Sequence, residues 1–369
     1  MPLNEAIAVD TPAAKGFFRL SVQDVRPETR DAIAVTFEVP PNLEKQFAFA
    51  SGQHLTLRKT IDGEEIRRTY SICAAVQDKA LRIAIKRMSN GIFSNWANDR
   101  LKVGDHLEVM PPAGKFGVAL NPRHRRTYVA FAAGSGITPI FSILKSTLLA
   151  EPKSNFSLFY GNRATRTVMF RDELADLKDQ FLGRLNLVHI LTRERQESEL
   201  LNGRISGEKA QQLLERWFGS RQIDVAFLCG PGTLISEVSD VMKLRGLAES
   251  QIRRELFTSG PRKLTPKVSS HQEQKICEVT LVLDGTERRF SMPRGPESIL
   301  HAGLRHGIDI RYGCQGGVCS SCRGHLRSGE VEMDTHYALE DYEVAQGFIL
   351  TCQSYPLTDQ VTVDFDRIH

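Results

Sequence analysis

With 369 residues, of which 41% are hydrophobic and 25% charged, the chain has the composition of a soluble globular protein and room for two or three domains of about 150 residues each. A formal net charge of +4 leaves no electrostatic footprint for nucleic acid or an anionic membrane surface. Seven cysteines, an odd number, argue against a disulfide framework and for a reducing, cytoplasmic setting.

Residues 1–16 include Glu5 and Asp10 and lack the apolar core of a signal peptide, so they read as a flexible tail. Apolar runs fall short of the roughly 18 to 20 residues of a membrane helix, and the best, 128–137, is interrupted by Gly134 and Gly136. From 17 to 124 the pattern predicts short strands at 19–25, 32–39, 54–57, 69–73, 81–86 and 106–110. Turn residues such as Asp62-Gly63 separate them, and one helix is inserted at 93–98, which together predict an antiparallel six-stranded β-barrel. Within it stands Arg68-Thr69-Tyr70-Ser71. An arginine can pair with a pyrophosphate, a tyrosine ring can stack on a flavin, and a serine hydroxyl can bond a flavin heteroatom. The plainer reading is a surface arginine beside a core-edge tyrosine. A second signal follows at Ile85-Lys86-Arg87, which ends a strand, and Gly91-Ile92-Phe93-Ser94, which opens a helix whose free N–H groups suit a phosphate.

From 125 to 257 strands and helices alternate: strands at 128–132, 156–160, 185–191 and 225–228, helices at 140–149, 171–178, 208–217 and 234–244. That rhythm predicts a doubly wound α/β domain. Its first strand feeds Gly134-Ser135-Gly136-Ile137-Thr138-Pro139, where small residues permit close approach of a dinucleotide, Thr138 is expected to cap the helix, and Pro139 suits its first turn. The second strand ends at Asn162-Arg163 with Arg166 and Arg171 behind it and no acid before Asp172. Cations at that position favour a 2′-phosphate, hence NADPH, with NADH the alternative. Cys229-Gly230-Pro231 ends the fourth strand. Cys229 either lies against a nicotinamide or is a small buried hydrophobe. Glu255 and Phe257 close the sheet, where an aromatic could abut a flavin, while Cys73 and Cys277 read as core.

Residues 258–276, rich in Pro, Ser, Lys and Gln, read as a linker. The remainder, 277–369, begins with a hairpin at 277–292 around Asp284-Gly285 and a helix at 297–305. It is acidic: the net charge is −6 from Cys277 onward and +10 over the rest. Here Cys314, Cys319 and Cys322 form a C-x4-C-x2-C array, and Cys352 follows after twenty-nine intervening residues. This is the plant-type spacing for a 2Fe-2S cluster, and the interspersed Gly313, Gly316 and Gly317 let a loop wrap closely and aim N–H groups at sulfur. A structural zinc site would call for a second C-x2-C or for histidines at ligand spacing, and neither is present. No H-E-x-x-H or G-x-S-x-G competes as a catalytic centre.

In this order, R-x-Y-S, G-x-x-S, G-S-G-I-T-P, Y-G-N-R, C-G-P and the cysteine array resemble the ferredoxin–NADP reductase superfamily with a C-terminal plant-type ferredoxin domain. Within it, residues 67–73, 160–177, 201–209 and 351–353 are most similar to the reductase subunits of phenylacetyl-coenzyme A ring epoxidases. Asn95-Trp96, after Ser94, resembles instead the reductases of Rieske-type steroid and aromatic-ring hydroxylases. The resemblance implies a multidomain protein with a β-grasp ferredoxin domain. It implies FAD on Arg68, Tyr70, Ser71, Ile85, Lys86, Arg87, Gly91, Phe93 and Ser94, with FMN the alternative. It implies NADPH on Gly134, Ser135, Gly136, Thr138, Pro139, Asn162, Arg163, Arg171, Cys229, Gly230 and Pro231, with Tyr70, Ser71, Cys229 and Glu255 nearest the chemistry. The implied activity is electron transfer from NADPH through FAD and 2Fe-2S to the oxygenase component of a multicomponent monooxygenase or epoxidase. The reading from a different class is a redox-sensing iron–sulfur module.

Overall fold

Residues 16–257, 275–339 and 341–367 of the chain are described by its computed structural model; the predicted tail short of Gly16 and the predicted linker as far as Gln274 lie outside the described residues. Two compact units result, one from 16–204 with 221–225 and the other from 205–220, 226–257 and the described residues beyond 274.

The first unit opens with β1 (Phe18–Thr29), β2 (Ala32–Glu38), β3 (His54–Ile61), β4 (Glu64–Ser71), β5 (Leu81–Lys86), helix α1 (Ile92–Arg100) and β6 (His106–Val109). The strands pair antiparallel in the order β4-β3-β6-β1-β2-β5, and a bridge from Ile72 to Ile83 joins the two ends into a barrel. Alternate residues such as Leu20, Val35, Leu57 and Ile83 fill its interior. Strands β1, β3 and β4 exceed their predicted lengths, and for β1 and β4 the reasons are identifiable. In β1, register shifts between Val22 and Asp24 and between Pro27 and Thr29 let the ladder continue past polar residues and a proline. In β4, the charged start looks like a loop, yet Arg67 and its neighbour Arg58 are buried over the ring of Phe17, at 5.1 and 4.2 Å, and paired with Glu65 and Glu108.

There follow β7 (Thr127–Ala133), α2 (Ile137–Ala150), β8 (Asn155–Asn162), α3 (Arg171–Gln180), β9 (Leu185–Leu191), α4 (Gly207–Phe218), β10 (Val225–Gly230), α5 (Gly232–Leu244) and β11 (Ile252–Leu256). The five strands form a sheet ordered β11-β10-β7-β8-β9, with parallel pairing of β7 to β8, β8 to β9 and β10 to β11. Near-continuous burial along β7, β8 and β10 is what a sheet covered on both faces demands, and it explains why these runs were legible without alternation. Glu151, just past α2, is fully buried. Burial alone would raise its carboxyl, but hydrogen bonds from Asn121 N (3.0 Å), Ser154 Oγ (2.8 Å), His124 Nδ1 (2.8 Å) and Tyr128 Oη (2.9 Å) hold it below the usual range.

The second unit ends in an α+β assembly: β12 (Ile276–Leu283), β13 (Thr286–Pro293), α6 (Ile299–Arg305), β14 (Arg323–Ser328), β15 (Val331–Met333), α7 (Asp341–Ala345), β16 (Phe348–Leu350), β17 (Ser354–Pro356) and β18 (Gln360–Asp364). Its main sheet runs β13-β12-β18-β14-β16, mixed because β12 and β18 are parallel, and β15 pairs with β17 alone. Asp284 and Gly285 both have positive φ, 49° and 71°, and join Leu283 to Thr286 in the two-residue hairpin turn that Asp-Gly favours. Helix α6 starts two residues later than predicted because Ser298 is its N-cap, accepting from His301 N. Ile299, Leu300, Ile310 and Phe348 pack in one core with Cys322 and Cys352.

Candidate functional site

Strand alternation turns Arg68 and Tyr70 to one face of β4 and Arg67 and Thr69 to the other. Arg68 Nη1 donates to the Arg67 carbonyl at 2.7 Å, and the Tyr70 ring lies against Phe93 with centroids 5.7 Å apart. Phe93 is fully buried and leans in turn on Trp96. Burial pushes the Tyr70 hydroxyl up, with Arg68 opposing, so the ring stays neutral. Ser71 is buried opposite His54 in the β3–β4 ladder. At the end of β5, Ile85 is core and Arg87 pairs with Asp99 at 2.6 Å. Gly91 precedes α1, and a Cβ there would fall 2.4 Å from Ser94 Oγ. That hydroxyl accepts from Met88 N at 3.1 Å, so Ser94 shapes the turn into the helix.

The same unit holds the turn after β7. Gly134 sits at φ 55°, its carbonyl accepts from Tyr160 Oη at 2.9 Å, and a Cβ on it would come 3.4 Å from Lys86 Nζ. Half-buried Lys86 is pulled down first by burial and then by Arg163, with Asp31 opposing. A half-buried lysine at the edge of a glycine turn, with the Arg163 charge acting on it, fits a phosphate-bearing ligand, whose charge would relieve Lys86. One expectation fails here. Thr138 does not cap α2: a 3-10 turn at Gly134–Gly136 runs straight into the helix, so Thr138 already lies inside it, buried, and donates from Oγ1 to Ser135 O at 3.0 Å. Pro139 is likewise buried in the first turn, and Ser135 is half-buried.

At the end of β8, Asn162 is buried, Arg163 and Arg171 are exposed, and Arg171 pairs with Asp172 at 3.1 Å. Here the structure adds an acid that a linear reading missed. Glu194, from beyond β9, accepts from Thr165 N at 2.8 Å and Thr165 Oγ1 at 2.7 Å; these bonds hold its carboxyl below the usual range, with Arg166 contributing. A latch between barrel and α3 was also invisible in linear order. Arg82 of β5 makes two bonds to Glu173, at 3.0 and 2.9 Å, and lies over Phe141 and Phe170, while Glu28 of β1 accepts from Phe170 N at 3.2 Å. Cys73, behind Arg82, is buried and its thiol is pushed up to about 12, chiefly by burial, so it is inert core.

In the second unit Cys229 pairs in register with Glu255 of β11. The thiol is fully buried; burial first and the Glu255 charge second push it well up, keeping it protonated. Gly230 O accepts from Phe257 N at 3.0 Å, and Pro231 precedes α5.

Of the five remaining cysteines Cys277 is buried core, as expected, and the other four converge as two pairs. Cys314 N donates to Cys319 Sγ at 3.3 Å, and the Cys314 thiol is pushed up by its hydrogen bond with Cys319, then by burial; Cys322 is raised in the same way by Cys352. Gly316 N and Val318 N both point at Cys314 Sγ, at 3.3 and 3.4 Å. Among the described residues no three His, Cys, Asp or Glu side chains gather round one ion. A two-iron cluster needs no such point, because each iron takes two protein thiolates, and two pairs with N–H groups aimed at sulfur fit it. Cys314 is half-buried and the other three are buried, so the cluster position is most accessible at its Cys314 side.

Three families match along the chain: an oxidoreductase FAD-binding domain at residues 19–117, an oxidoreductase NAD-binding domain at 131–240 and a 2Fe-2S iron–sulfur cluster binding domain at 281–357. The chain is 42% identical over 350 residues to one of the subunits of the 1,2-phenylacetyl-CoA epoxidase of Escherichia coli, covering 95% of this chain and 98% of that one. It is 33% identical to the ferredoxin reductase component of 3-ketosteroid-9-alpha-monooxygenase of Rhodococcus rhodochrous, over 97% of this chain and 99% of that one. Among solved structures it is similar to phthalate dioxygenase reductase, with a TM-score of 0.59 and 25% identity over 95% of this chain and 98% of that one.

Proposed function

The chain belongs to the ferredoxin–NADP reductase-like oxidoreductases that carry an FAD-binding domain, an NAD-binding domain and a C-terminal 2Fe-2S domain, and on that premise we propose that it is the reductase component of a multicomponent oxygenase, a phenylacetyl-coenzyme A epoxidase. The observation that carries this reading is the 42% identity sustained over 95% of the chain. The protein is an NAD(P)H-dependent oxidoreductase with FAD and a 2Fe-2S cluster. When bound, these groups supply the conversion of a two-electron donor into single electrons.

The residues supply position and environment. Arg68, Tyr70 with Phe93 behind it, Ser71, Lys86, Arg87 and the N-terminus of α1 would hold the FAD, Arg68 as a partner for its pyrophosphate and Tyr70 as an aromatic face for the flavin. The Gly134–Gly136 turn, with Lys86 and Arg163 near it, would hold the nucleotide phosphates. Cys229, kept neutral by burial, and Glu255 would border the nicotinamide. Cys314, Cys319, Cys322 and Cys352 hold the cluster. The functional boundaries we assign are 17–124 for flavin, 125–257 for nucleotide and 277–369 for the cluster. Arg163 and Arg166 support NADPH as the donor, offset in part by Glu194. We assign the protein to the cytoplasm, in keeping with seven cysteines of which none is joined in a disulfide. No helix among the described residues is long and apolar enough to cross a membrane.

The test is anaerobic titration with NADPH and NADH, following flavin and cluster absorbance, and then electron delivery to purified oxygenases. Reduction of a phenylacetyl-coenzyme A epoxidase is expected. Reduction of a Rieske-type steroid hydroxylase in its place would move the protein to that branch, and no reduction of flavin by either nucleotide would make it a redox-sensing module.

A further inference from the structure

Between the first two cluster cysteines, Gln315 holds a left-handed backbone at φ 54°. That conformation is strained for a residue with a Cβ, although glycines stand close by at 313 and 316. Its surroundings offset the cost. Gln315 Oε1 faces His301 Nε2 at 3.0 Å, so that nitrogen carries the proton. His301 Nδ1 then accepts from Ser298 Oγ at 3.0 Å, and Ser298 is the N-cap of α6. From the other side Gln353, next to Cys352, donates from Nε2 to the carbonyls of Gln315 and Cys352, each at 3.0 Å, while its Oε1 accepts from Thr335 Oγ1 at 2.8 Å. Thr335 closes the loop from above: a Cβ on Gly317 would come 2.7 Å from its Oγ1.

The Gln315 carbonyl that Gln353 holds and the Gly316 N–H that points at Cys314 Sγ belong to one peptide plane. Fixing one end of a rigid plane fixes the other. We propose that His301, Gln315 and Gln353 are positioning residues, a clamp that locks this peptide so that an N–H stays on the Cys314 sulfur. Resting on the assignment of the four cysteines to the cluster, the clamp does two things. It favours the electron-accepting step, because an N–H dipole on a ligating sulfur stabilises the added negative charge, and it slows loss of the cluster by keeping the most accessible ligand in place.

The experiment uses the full-length protein with its cofactors and the variants Gln353→Ala, Gln315→Gly, His301→Ala and His301→Gln. Two quantities are read: the midpoint potential of the cluster, reduced by dithionite with mediators, and the rate of visible absorbance loss in the presence of an iron chelator. Gln353→Ala is expected to lower the potential and to release the cluster about tenfold faster, the effect of one hydrogen bond of about 1 to 1.5 kcal/mol. His301→Ala acts in the same direction, and His301→Gln, whose amide can still donate, recovers part of the loss. Gln315→Gly removes backbone strain and anchor together; faster release there shows that the anchor dominates and covers the case in which Gln353→Ala does not accumulate. Wild-type potential and release rate in both Gln353→Ala and Gln315→Gly would overturn the clamp. Dithionite bypasses the nucleotide, so failure of NAD(P)H to reduce the flavin would sink the proposed function and leave these two readings able to decide the clamp.

Discussion

At residues 134–136 the chain turns on a glycine in the left-handed region, whereas in the cluster loop two of the left-handed positions, Gln315 and Ser320, carry side chains. The turn to which we assign the nucleotide is a bare backbone surface: its glycine takes φ 55°, a conformation that a Cβ would strain, and the charges that would meet a ligand, Lys86 and Arg163, arrive from other strand ends. The loop to which we assign the cluster carries three of the four ligand cysteines within itself, takes the fourth, Cys352, from just past β16, and recruits other distant residues to hold its shape. A reversible ligand needs an open approach and a field, whereas a resident inorganic cluster needs fixed sulfurs. Ligation of the cluster is therefore mostly local in sequence, three cysteines of four, whereas electrostatic binding is not.

The largest effect that tests this contrast comes from a ligand cysteine. Cys319→Ser should leave NAD(P)H-driven bleaching of flavin absorbance within about twofold of wild type and abolish delivery to the oxygenase, since thiolate ligation is lost at one iron. Loss of flavin bleaching as well would show that the two regions do not act separately. Next in size is Gly134→Ala. The nearest atom to the new Cβ is the end of a flexible lysine, so strain at φ 55° dominates over clash. A cost of about 1 to 2 kcal/mol corresponds to roughly a tenfold rise in KM for the nucleotide with little change in cluster potential. An unchanged KM would mean that the turn does not meet the nucleotide. Smaller again is Arg82→Ala, which removes two bonds to Glu173 and one to the Cys73 carbonyl. Because Glu173 is partly exposed, the expected loss is about 2 kcal/mol, or a Tm lowered by roughly 4 to 8 °C for the first unit; no shift would remove the latch from the stability of that unit.

The same contrast explains what the sequence could reveal. The parallel strands were legible because burial on both faces leaves long apolar runs, and the cluster because C-x4-C-x2-C is a ligand spacing. The first half of β4 was not, since buried Arg67 looks like a surface residue until Phe17 and Glu65 are beside it. Strands β14 to β18 escaped because each is only three to six residues long and pairs with partners far along the chain. Glu194 and His301 carry no motif, and Gln353 stands out only within the 351–353 resemblance; their roles follow from what the fold places next to them. The misplaced cap at Thr138 has a similar cause, because a glycine-rich turn that is itself helical moves the helix start upstream of the residue that looks like its cap.

Acidification separates the two regions by where their stability is lost. His189, on β9 beside the ring of Tyr160, is held below its ordinary value of 6.5 by burial. Above that value neither the folded nor the unfolded chain carries a proton there, so the residue adds no pH dependence. As pH falls below it the unfolded chain binds the proton first and is stabilised, and the folded chain loses ground until its own lower value is reached. In the ferredoxin-like region the opposite case is Asp364. Burial would raise its carboxyl, but the Asp366 N–H and Arg327 hold it below 3.8, so its contribution is complete above that value and disappears only as pH drops through the lower, folded one. Between pH 7.5 and 5 the urea midpoint of wild type should therefore decline through the histidine alone of these two groups. His189→Asn should flatten that decline, and Asp364→Asn should leave its slope untouched while lowering the whole curve. A slope unchanged in His189→Asn would place the acid sensitivity elsewhere in the nucleotide-binding region.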